Sequence, residues 1–317
     1  MEVKWNFMEI KKVEDTEARI NTKSRVTVKK TGNVVEIKHS SGIAGSNVEL
    51  IDKDHYIVKS TGEIREVKHT EKRIENTESI KQSMKNLRDL INCNCTEPEK
   101  CLWLTLTFKE LMQNQEQLYA DLKKFFMRLK YHLGDKKFEY IATIEPQARG
   151  AYHAHVILIF DNIRPFIPNE KMATIWGHGY TKTTRLNNNI NDVGLYLTAY
   201  LTDISIDEAS ILDIKSAKNI KDVEILEGEK EVPKKIIKGG RLKYYPSRFR
   251  LFRCSRGIKR PTIWKTTNQQ AMEYIEENGL DLFYEKTIKL TDESKNFERI
   301  INYKQFKKPI NKNSGIP

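Results

Sequence analysis

The chain has 317 residues and a net charge of +12 with a pI near 9.3, which is typical of a protein that binds nucleic acid. No apolar run approaches the roughly 18 residues of a membrane span, and the first residues do not resemble a secretory signal, so we expect a cytoplasmic protein with no membrane partner. Four cysteines without regular spacing are too few for a disulfide framework.

Residues 1–70 are predicted to form a small β-rich extension. Strand-like segments flank residues 31–33 and again residues 60–62, and each of these turns contains a glycine. Two such segments joined by a short glycine-containing turn indicate a β-hairpin. The pattern gives this extension a structure but no function.

The next region, residues 71–265, alternates between helical and strand-like patterns. Apolar residues at spacings of three and four indicate helices, and β-branched apolar runs indicate strands. The predicted elements are a helix ending near residue 92, a strand at 102–108, a helix at 115–133, strands at 138–145 and 152–160, and a helix from 191 or 192 to about 203.

The remaining segments differ in composition. Residues 204–233 are acidic and rich in lysine with little apolar periodicity, which indicates an insertion. After residue 265 we predict a helical segment, with a helix near 269–277, and a tail that is disordered beyond Lys304. The expected domains are therefore the extension at 1–70, a main domain at 71–265 that contains the insertion, and a C-terminal segment at 266–317.

The predicted strand at 152–160 carries His153 and His155. Side chains alternate between the two sides of a strand, so both imidazoles point to the same side, roughly 7 Å apart. Two imidazoles on one face are a ready pair of ligands for a divalent metal ion. The alternative is that backbone groups or water satisfy both rings, because so short a motif arises easily by chance.

Glu145 ends the preceding strand, eight residues before His153. A tight connection between the two strands would bring its carboxylate into the same pocket as the imidazoles. Two histidines and one carboxylate form a workable site for Mn²⁺ or Mg²⁺, with positions left for phosphate oxygens and water. The alternative is a carboxylate that pairs with Arg149 or with solvent.

Tyr196 and Tyr200 are four residues apart in the helix predicted to end near residue 203, so both phenols lie on one helix face. A tyrosine can attack phosphorus and form a covalent phosphotyrosine, but its phenol has a pKa near 10 and needs help to react. A metal ion supplies that help by withdrawing charge from the phosphate. The alternative is an aromatic pair in the protein core.

In this order, the features resemble the HUH endonuclease superfamily, and more closely the rolling-circle replication initiators of bacterial plasmids and phages. Further likeness lies in residues 80–92, 240–246 and 253–259, so the resemblance covers roughly residues 75–262. The features that carry it are a strand with Thr105 and Thr107 as a structural motif, then Glu145 with His153 and His155, then the helix with Tyr196 and Tyr200.

The resemblance implies an α+β fold in which helices flank a central antiparallel sheet of about five strands. It also implies that His153 and His155, with Glu145 as a third ligand, bind Mn²⁺ or Mg²⁺. Tyr196 would then nick single-stranded DNA at the origin and keep the 5′ phosphate, while the free 3′ hydroxyl primes synthesis. Tyr200 is the candidate for the closing transfer.

The chain departs from this family at two positions. Such initiators usually carry lysines in the tyrosine helix where this chain has Ala199 and Asp203. Lys182 or Arg185 would then supply the cation that steers the phosphate. The chain also lacks the glycine-rich lysine motif of an ATPase, so we expect a host helicase and a host DNA polymerase as partners.

A basic stretch at residues 234–260 holds eleven Lys and Arg residues and no Asp or Glu. It predicts a strand-rich nucleic-acid surface, because cations bind phosphates and interleaved aromatic residues stack on unpaired bases. The alternative is a solvated basic loop. The predicted DNA-binding residues are Arg149, Lys182, Arg185, Arg241, Lys243, Tyr244, Arg253, Arg256 and Lys259.

Three other functions stay open at this point. A relaxase or a transposase of the same superfamily would use the same chemistry. A non-enzymatic, basic protein that binds single-stranded nucleic acid would contain the same charges, with His153 and His155 structural. A metallohydrolase that cleaves phosphodiesters with water would use the metal site and leave Tyr196 in the core.

Overall fold

The computed structural model describes residues 11–14, 19–41, 48–58, 62–67, 77–147, 150–186, 194, 201–207, 209, 214–215, 220–227, 230–246, 249–292 and 297–308. The chain folds into two compact units, one made of Met1–His69 with Pro261–Pro317 and the other of Thr70–Arg260. Among the described residues, no helix is long and apolar enough to cross a membrane.

Four α-helices and seventeen strands lie in the described parts of the chain. The helices are α1 (Thr77–Asn94), α2 (Gln115–Leu133), α3 (Asn169–Trp176) and α4 (Asn268–Glu277). The strands are β1 (Lys11–Glu14), β2 (Arg25–Thr31), β3 (Val34–Ser40), β4 (Val48–Leu50), β5 (His55–Val58), β6 (Glu63–Glu66), β7 (Cys101–Leu106), β8 (Phe138–Pro146), β9 (Tyr152–Phe160), β10 (Thr181–Arg185), β11 (Ile204–Ser205), β12 (Ile220–Glu227), β13 (Lys230–Ile237), β14 (Phe252–Cys254), β15 (Thr262–Thr267), β16 (Asp281–Asp292) and β17 (Phe297–Lys307).

A five-stranded sheet forms the centre of the 70–260 unit. Its strand order is β10-β7-β9-β8-β14, and all four neighbouring pairs are antiparallel. The strand with the two histidines, β9, is therefore the middle strand. These observations confirm the predicted α+β fold with a central five-stranded antiparallel sheet and a β-rich N-terminal region.

Helices cover both faces of this sheet because its strands are apolar on both sides. Even-numbered residues such as Leu104 and Val156 pack against α2 and α3, while odd-numbered residues such as Trp103 and Ile157 pack against α1. We call these the α2 face and the α1 face. Since His153 and His155 are odd-numbered residues of β9, they belong to the α1 face.

Helix α2 begins and ends at the predicted residues. The side chain of Asn114 accepts hydrogen bonds from the backbone of residues 116 and 117, and Gly134 ends the helix with a φ of 59°. Its predicted apolar stripe is buried; Leu118, Phe125 and Leu129 have no exposed area.

The other unit contains a six-stranded antiparallel sheet in the order β1-β16-β17-β3-β2-β15. Helix α4 packs Ala271 and Ile275 against Val26, Val28 and Ile37 of this sheet. The two predicted hairpins are confirmed: β2 pairs with β3, and β5 pairs with β6 in a separate three-stranded sheet.

Two regions contain more strand structure than their composition predicts. The expected helical segment and tail after residue 265 contains α4 but also β16 and β17, and β17 continues past Lys304 because it pairs with β3. The insertion at 204–233 contributes to a three-stranded sheet of β11, β13 and β12. In both regions, the pairing partner lies elsewhere in the sheet and supplies the hydrogen bonds that local composition does not reveal.

Candidate active site

The predicted metal ligands lie on neighbouring strands of the central sheet. Glu145 of β8 is directly opposite His153 of β9, so the two side chains share the α1 face with His155. The Nε2 atom of His155 donates a hydrogen bond to the carboxylate of Glu145. The structure therefore brings together the three side chains that the sequence singled out.

Thr105 supports the ring of His155 from the other side. It lies opposite His155 on β7, and its hydroxyl oxygen is 3.2 Å from His155 Nδ1. In the neutral ring that donates through Nε2, Nδ1 accepts a hydrogen bond from this hydroxyl. If a metal ion bound Nε2, the ring proton would sit on Nδ1 and the hydroxyl would accept it. A hydroxyl both donates and accepts, so Thr105 fits either tautomer.

Arg241 lies deep beside Glu145 and is only 4% exposed. Its Nη1 atom is 2.6 Å from Oε1 of Glu145. The same guanidinium donates to the backbone carbonyls of Pro146 at 3.2 Å and Asp203 at 3.1 Å. The structure thus places this predicted DNA-binding residue against a buried carboxylate.

The environment of Glu145 favours its charged form. Burial raises the pKa of this carboxyl group, but the positive charge and hydrogen bond of His155, together with Arg241 and His153, outweigh burial. The net effect lowers the pKa of Glu145 below its ordinary value. A carboxylate that stays ionised is suited to bind a cation.

These residue types fit a divalent metal ion in their chemistry. Two imidazoles and a carboxylate are ligands that Mn²⁺ accepts, and Thr105 supplies the outer hydrogen bond that orients a histidine ligand. In the described residues, however, no group of three or more His, Cys, Asp or Glu side chains is arranged as a metal site. Both carboxylate oxygens of Glu145 are engaged, by His155 and by Arg241. A bound ion would therefore have to replace the contact between Glu145 and His155.

Tyr196 and Tyr200 lie outside the described residues, but the structure describes Gly194 before them and Leu201 after them. The backbone nitrogen of Gly194 donates to the side chain of Asn92 on α1 at 3.0 Å. Leu201 is 3% exposed and packs in the core of the α1 face. The chain thus meets the face that carries the histidines both before and after the two tyrosines.

Gly194 is in very close contact with α1. A Cβ atom at this position would lie 2.7 Å from both Cγ and the backbone oxygen of Arg88, and 2.8 Å from Oδ1 of Asn92. Because part of this obstacle is backbone, no other residue fits without moving α1 or the chain around residue 194. Glycine is therefore required for this contact.

Contacts on the far side fix the chain just after the tyrosines. The hydroxyl of Tyr245 donates to the backbone carbonyl of Leu201 at 3.1 Å, and the backbone nitrogen of Arg241 donates to the carbonyl of Thr202 at 3.0 Å. Arg241 therefore connects Glu145 with residues 202 and 203.

The other predicted DNA-binding residues are scattered over the unit. Lys182 is exposed on β10, at one edge of the sheet, and Arg256 and Lys259 are exposed after β14, which forms the other edge. Lys243 lies 5.2 Å from the ring centre of its neighbour Tyr244 in a short 3₁₀ turn. Arg149 falls outside the described residues, and Arg185 is described only as part of β10.

Arg253 points to the opposite face of the sheet from the histidines. It pairs with Ala142 across the sheet, and its guanidinium carbon lies 3.3 Å from the ring centre of Tyr119 on α2. In the basic stretch at 234–260, moreover, Tyr245 and Phe249 are buried in the core and are not available to stack on bases. The described part of this stretch holds little strand apart from the end of β13 and β14. The predicted continuous surface along 234–260 is therefore not what the fold presents.

Thr107 has a structural role that its position in the motif predicts. Its backbone nitrogen and its hydroxyl both donate to the carbonyl of Tyr180, at 3.0 and 2.8 Å. These bonds hold the end of β7 to the segment that enters β10.

Comparison with known proteins adds one finding. The family model described as replication-associated protein ORF2 matches residues 101–205, about a third of the chain. The match runs from β7 to β11 and includes Glu145, both histidines and the segment with Tyr196 and Tyr200. No curated protein matches the chain. Residues 101–205 are thus similar to replication-associated proteins, and Arg241 lies beyond the matched region.

Sequence reasoning missed two relationships in this site. The basic neighbours of Arg241 predict a surface cation, and nothing in the local pattern reveals that it is buried against Glu145. Gly194 does carry a signal, since a glycine inside a helical pattern costs about 1 kcal/mol relative to alanine and indicates a packing reason.

Proposed function

We propose that this protein is a rolling-circle replication initiator that nicks one DNA strand at an origin through a phosphotyrosine and later rejoins it. The observation that carries the proposal is the meeting of Glu145, His153 and His155 on one face of the central sheet. The similarity of residues 101–205 to replication-associated proteins supports it.

In the proposed reaction, the phenol oxygen of Tyr196 forms a bond to the scissile phosphorus. The bond from phosphorus to the 3′ oxygen breaks, which leaves a 3′ hydroxyl and a 5′ phosphate on the tyrosine. A Mn²⁺ or Mg²⁺ ion held by His153, His155 and Glu145 would supply positive charge at the phosphate. Tyr200 would take part in the closing transfer, which needs a second nucleophile.

Arg241 and Thr105 act on this site through its ligands. Arg241 holds one oxygen of Glu145 and keeps the carboxylate oriented towards the histidines. Thr105 fixes the plane of the His155 ring. Both residues would reduce the rearrangement that metal binding requires.

Replication by this route needs partners. The 3′ hydroxyl would be extended by a host DNA polymerase, and a host helicase would separate the strands. The substrate is single-stranded origin DNA, because a nucleophile on a protein surface reaches the phosphate most readily in an unpaired strand.

One experiment tests the proposal against its rivals. The protein is incubated with Mn²⁺ and single-stranded DNA that carries the nick site, and the products are separated under denaturing conditions. We expect a covalent DNA–protein band that disappears with EDTA and in Tyr196→Phe. Cleavage without a covalent band would indicate a water-dependent hydrolase, and binding without cleavage would indicate a non-enzymatic DNA-binding protein.

The tyrosine variants then separate the two nucleophiles. Tyr200→Phe should still form the first covalent band but fail to rejoin the strand. If Tyr200→Phe is inactive in the first step and Tyr196→Phe is active, the assignment of the two residues is reversed. His155→Ala serves as the control that removes the proposed metal ligand and leaves both tyrosines.

A further inference from the structure

A groove of about 870 Å³ lies on the α2 face of the central sheet, opposite the histidines. Helix α2 forms one wall, and the turn before β8 together with β8 and the neighbouring strand β14 form the other. Its lining carries five cationic side chains against two acidic ones, Asp135 and Glu139. The cationic residues are Lys123 and Lys130 of α2, Lys136 and Lys137 of the turn, and Arg253 of β14, and all five are exposed.

The groove has an aromatic floor beneath these charges. Phe126 and Tyr140 stack with ring centres 3.7 Å apart, and the guanidinium of Arg253 lies on the ring of Tyr119. This contact holds the charge of Arg253 in a fixed position at the groove edge. A fixed arginine and four lysines along one channel are suited to bind a phosphate backbone.

A second hollow of about 700 Å³ adjoins this groove across the exposed side chain of Met127, which lines both. It lies between α2 and α3 and contains Tyr131, whose side chain is 92% exposed. Arg128 and Lys171 lie in the same hollow. An aromatic ring that is almost wholly exposed between two basic depressions is suited to stack on an unpaired base.

We propose that the groove and the adjoining hollow together form a second binding surface for single-stranded DNA, separate from the nicking site. Cations along the groove would bind phosphates, and Tyr131 would stack on a base. A duplex fits less well, because its bases are already stacked on one another and offer Tyr131 no free face. The surface lies on the opposite side of the sheet from Glu145 and both histidines, so one strand could be held there while another is cut.

The test measures the affinity of the protein for a fluorescein-labelled oligothymidylate at several salt concentrations. The double variant Lys130→Gln/Lys137→Gln should bind more weakly, with a salt slope shallower by about 0.7 for each phosphate that is no longer neutralised. The matched control is Lys124→Gln/Lys221→Gln, which removes the same charge from two exposed lysines outside the groove. An equal slope in both double variants would overturn the proposal.

A second pair of variants tests the stacking. Tyr131→Ala should weaken binding of the oligothymidylate by at least about fivefold, which is the smallest effect expected when one base no longer stacks. It should leave binding of a duplex of the same length unchanged. Phe166→Ala is the matched control, because Phe166 is 82% exposed and lines neither depression. Equal losses on duplex and single strand, or no loss, would overturn the proposal.

The nicking assay keeps this surface distinct from the proposed function. Wild-type protein that forms the covalent band while the groove variants bind like their controls would disprove only the second surface. Weakened binding in the groove variants without any covalent band in the wild type would disprove only the nicking function.

Discussion

Arg241 and Glu145 form an ion pair of 2.6 Å between side chains that are 5% and 10% exposed. The pair joins β8 to the chain after β13, and Arg241 also reaches the carbonyl of Asp203, just beyond the segment with the two tyrosines. One buried guanidinium therefore links the strand that carries the proposed metal ligand with the segment that carries the proposed nucleophiles.

Removal of Arg241 should destabilise the protein strongly. Arg241→Gln leaves the carboxylate of Glu145 buried without its cation, and the loss of one partner of a buried pair costs about 3–5 kcal/mol. Urea-induced unfolding measures the change. In Arg241→Gln/Glu145→Gln, neither charge remains, so part of the loss should be recovered. If the double variant is no more stable than Arg241→Gln, the two residues are not coupled.

Thr105→Val should weaken Mn²⁺ binding by about 10-fold to 100-fold, as expected when a histidine ligand is deprived of its outer hydrogen bond. Valine keeps the shape of threonine but cannot bond to Nδ1 of His155. Thr105→Ser keeps the hydroxyl and should bind Mn²⁺ nearly as the wild type does. Isothermal titration calorimetry with Mn²⁺ measures both.

Thr107→Val is the matched control for that experiment, because its hydroxyl bonds to the carbonyl of Tyr180 and not to a proposed ligand. Equal Mn²⁺ affinity in Thr105→Val and wild type would show that this hydroxyl does not support a metal ligand.

Gly194→Ala should abolish or greatly reduce the covalent band, because the added methyl group collides with the backbone of α1. The unfolding free energy should fall by about 1–3 kcal/mol, as for other overpacked sites. Gly134→Ala is the control: its φ of 59° strains alanine, but its Cβ has open space and it lies at the end of α2. It should lose stability while it keeps nicking activity. Full activity in Gly194→Ala would show that this close approach does not position the tyrosine segment.

The cysteines should differ in their reactivity at pH 8. A hydrogen bond with Cys101, together with burial, raises the pKa of the Cys95 thiol well above its ordinary value. At pH 8 this thiol stays protonated and is not nucleophilic, so iodoacetamide should modify the half-buried Cys93 and Cys254 first. Mass spectrometry after timed alkylation identifies the sites. All four cysteines should react in urea, and rapid labelling of Cys95 in the native protein would contradict this expectation.

The local elements of the central sheet were predictable because their signals are local. The apolar stripe of α2, with Asn114 before it and Gly134 after it, defines a helix without reference to the rest of the chain. The alternation in β9 places His153 and His155 on one face for the same reason. The register that sets Glu145 opposite His153 follows from the short connection between β8 and β9.

Long-range relationships were not predictable from the same patterns. Arg241 is 96 positions from Glu145, and its burial depends on how the chain after β13 returns to the sheet. Similarly, β17 pairs with β3 across most of the chain, and no local periodicity in residues 297–307 indicates that partner. The basic composition of 234–260 is a correct observation, but it does not distinguish exposed cations from buried ones.

The unit that contains the six-stranded sheet is assembled from the two ends of the sequence. On the ribosome, residues 70–260 emerge in full while β15, β16 and β17 are still to be synthesised, and domains generally fold as units in the order in which they appear. The unit with the histidine-bearing sheet can therefore fold first, whereas β2 and β3 must wait with unpaired edges until the last strands arrive. A chain that is cut short after residue 260 should accordingly keep that sheet and lack the partners of its first strands.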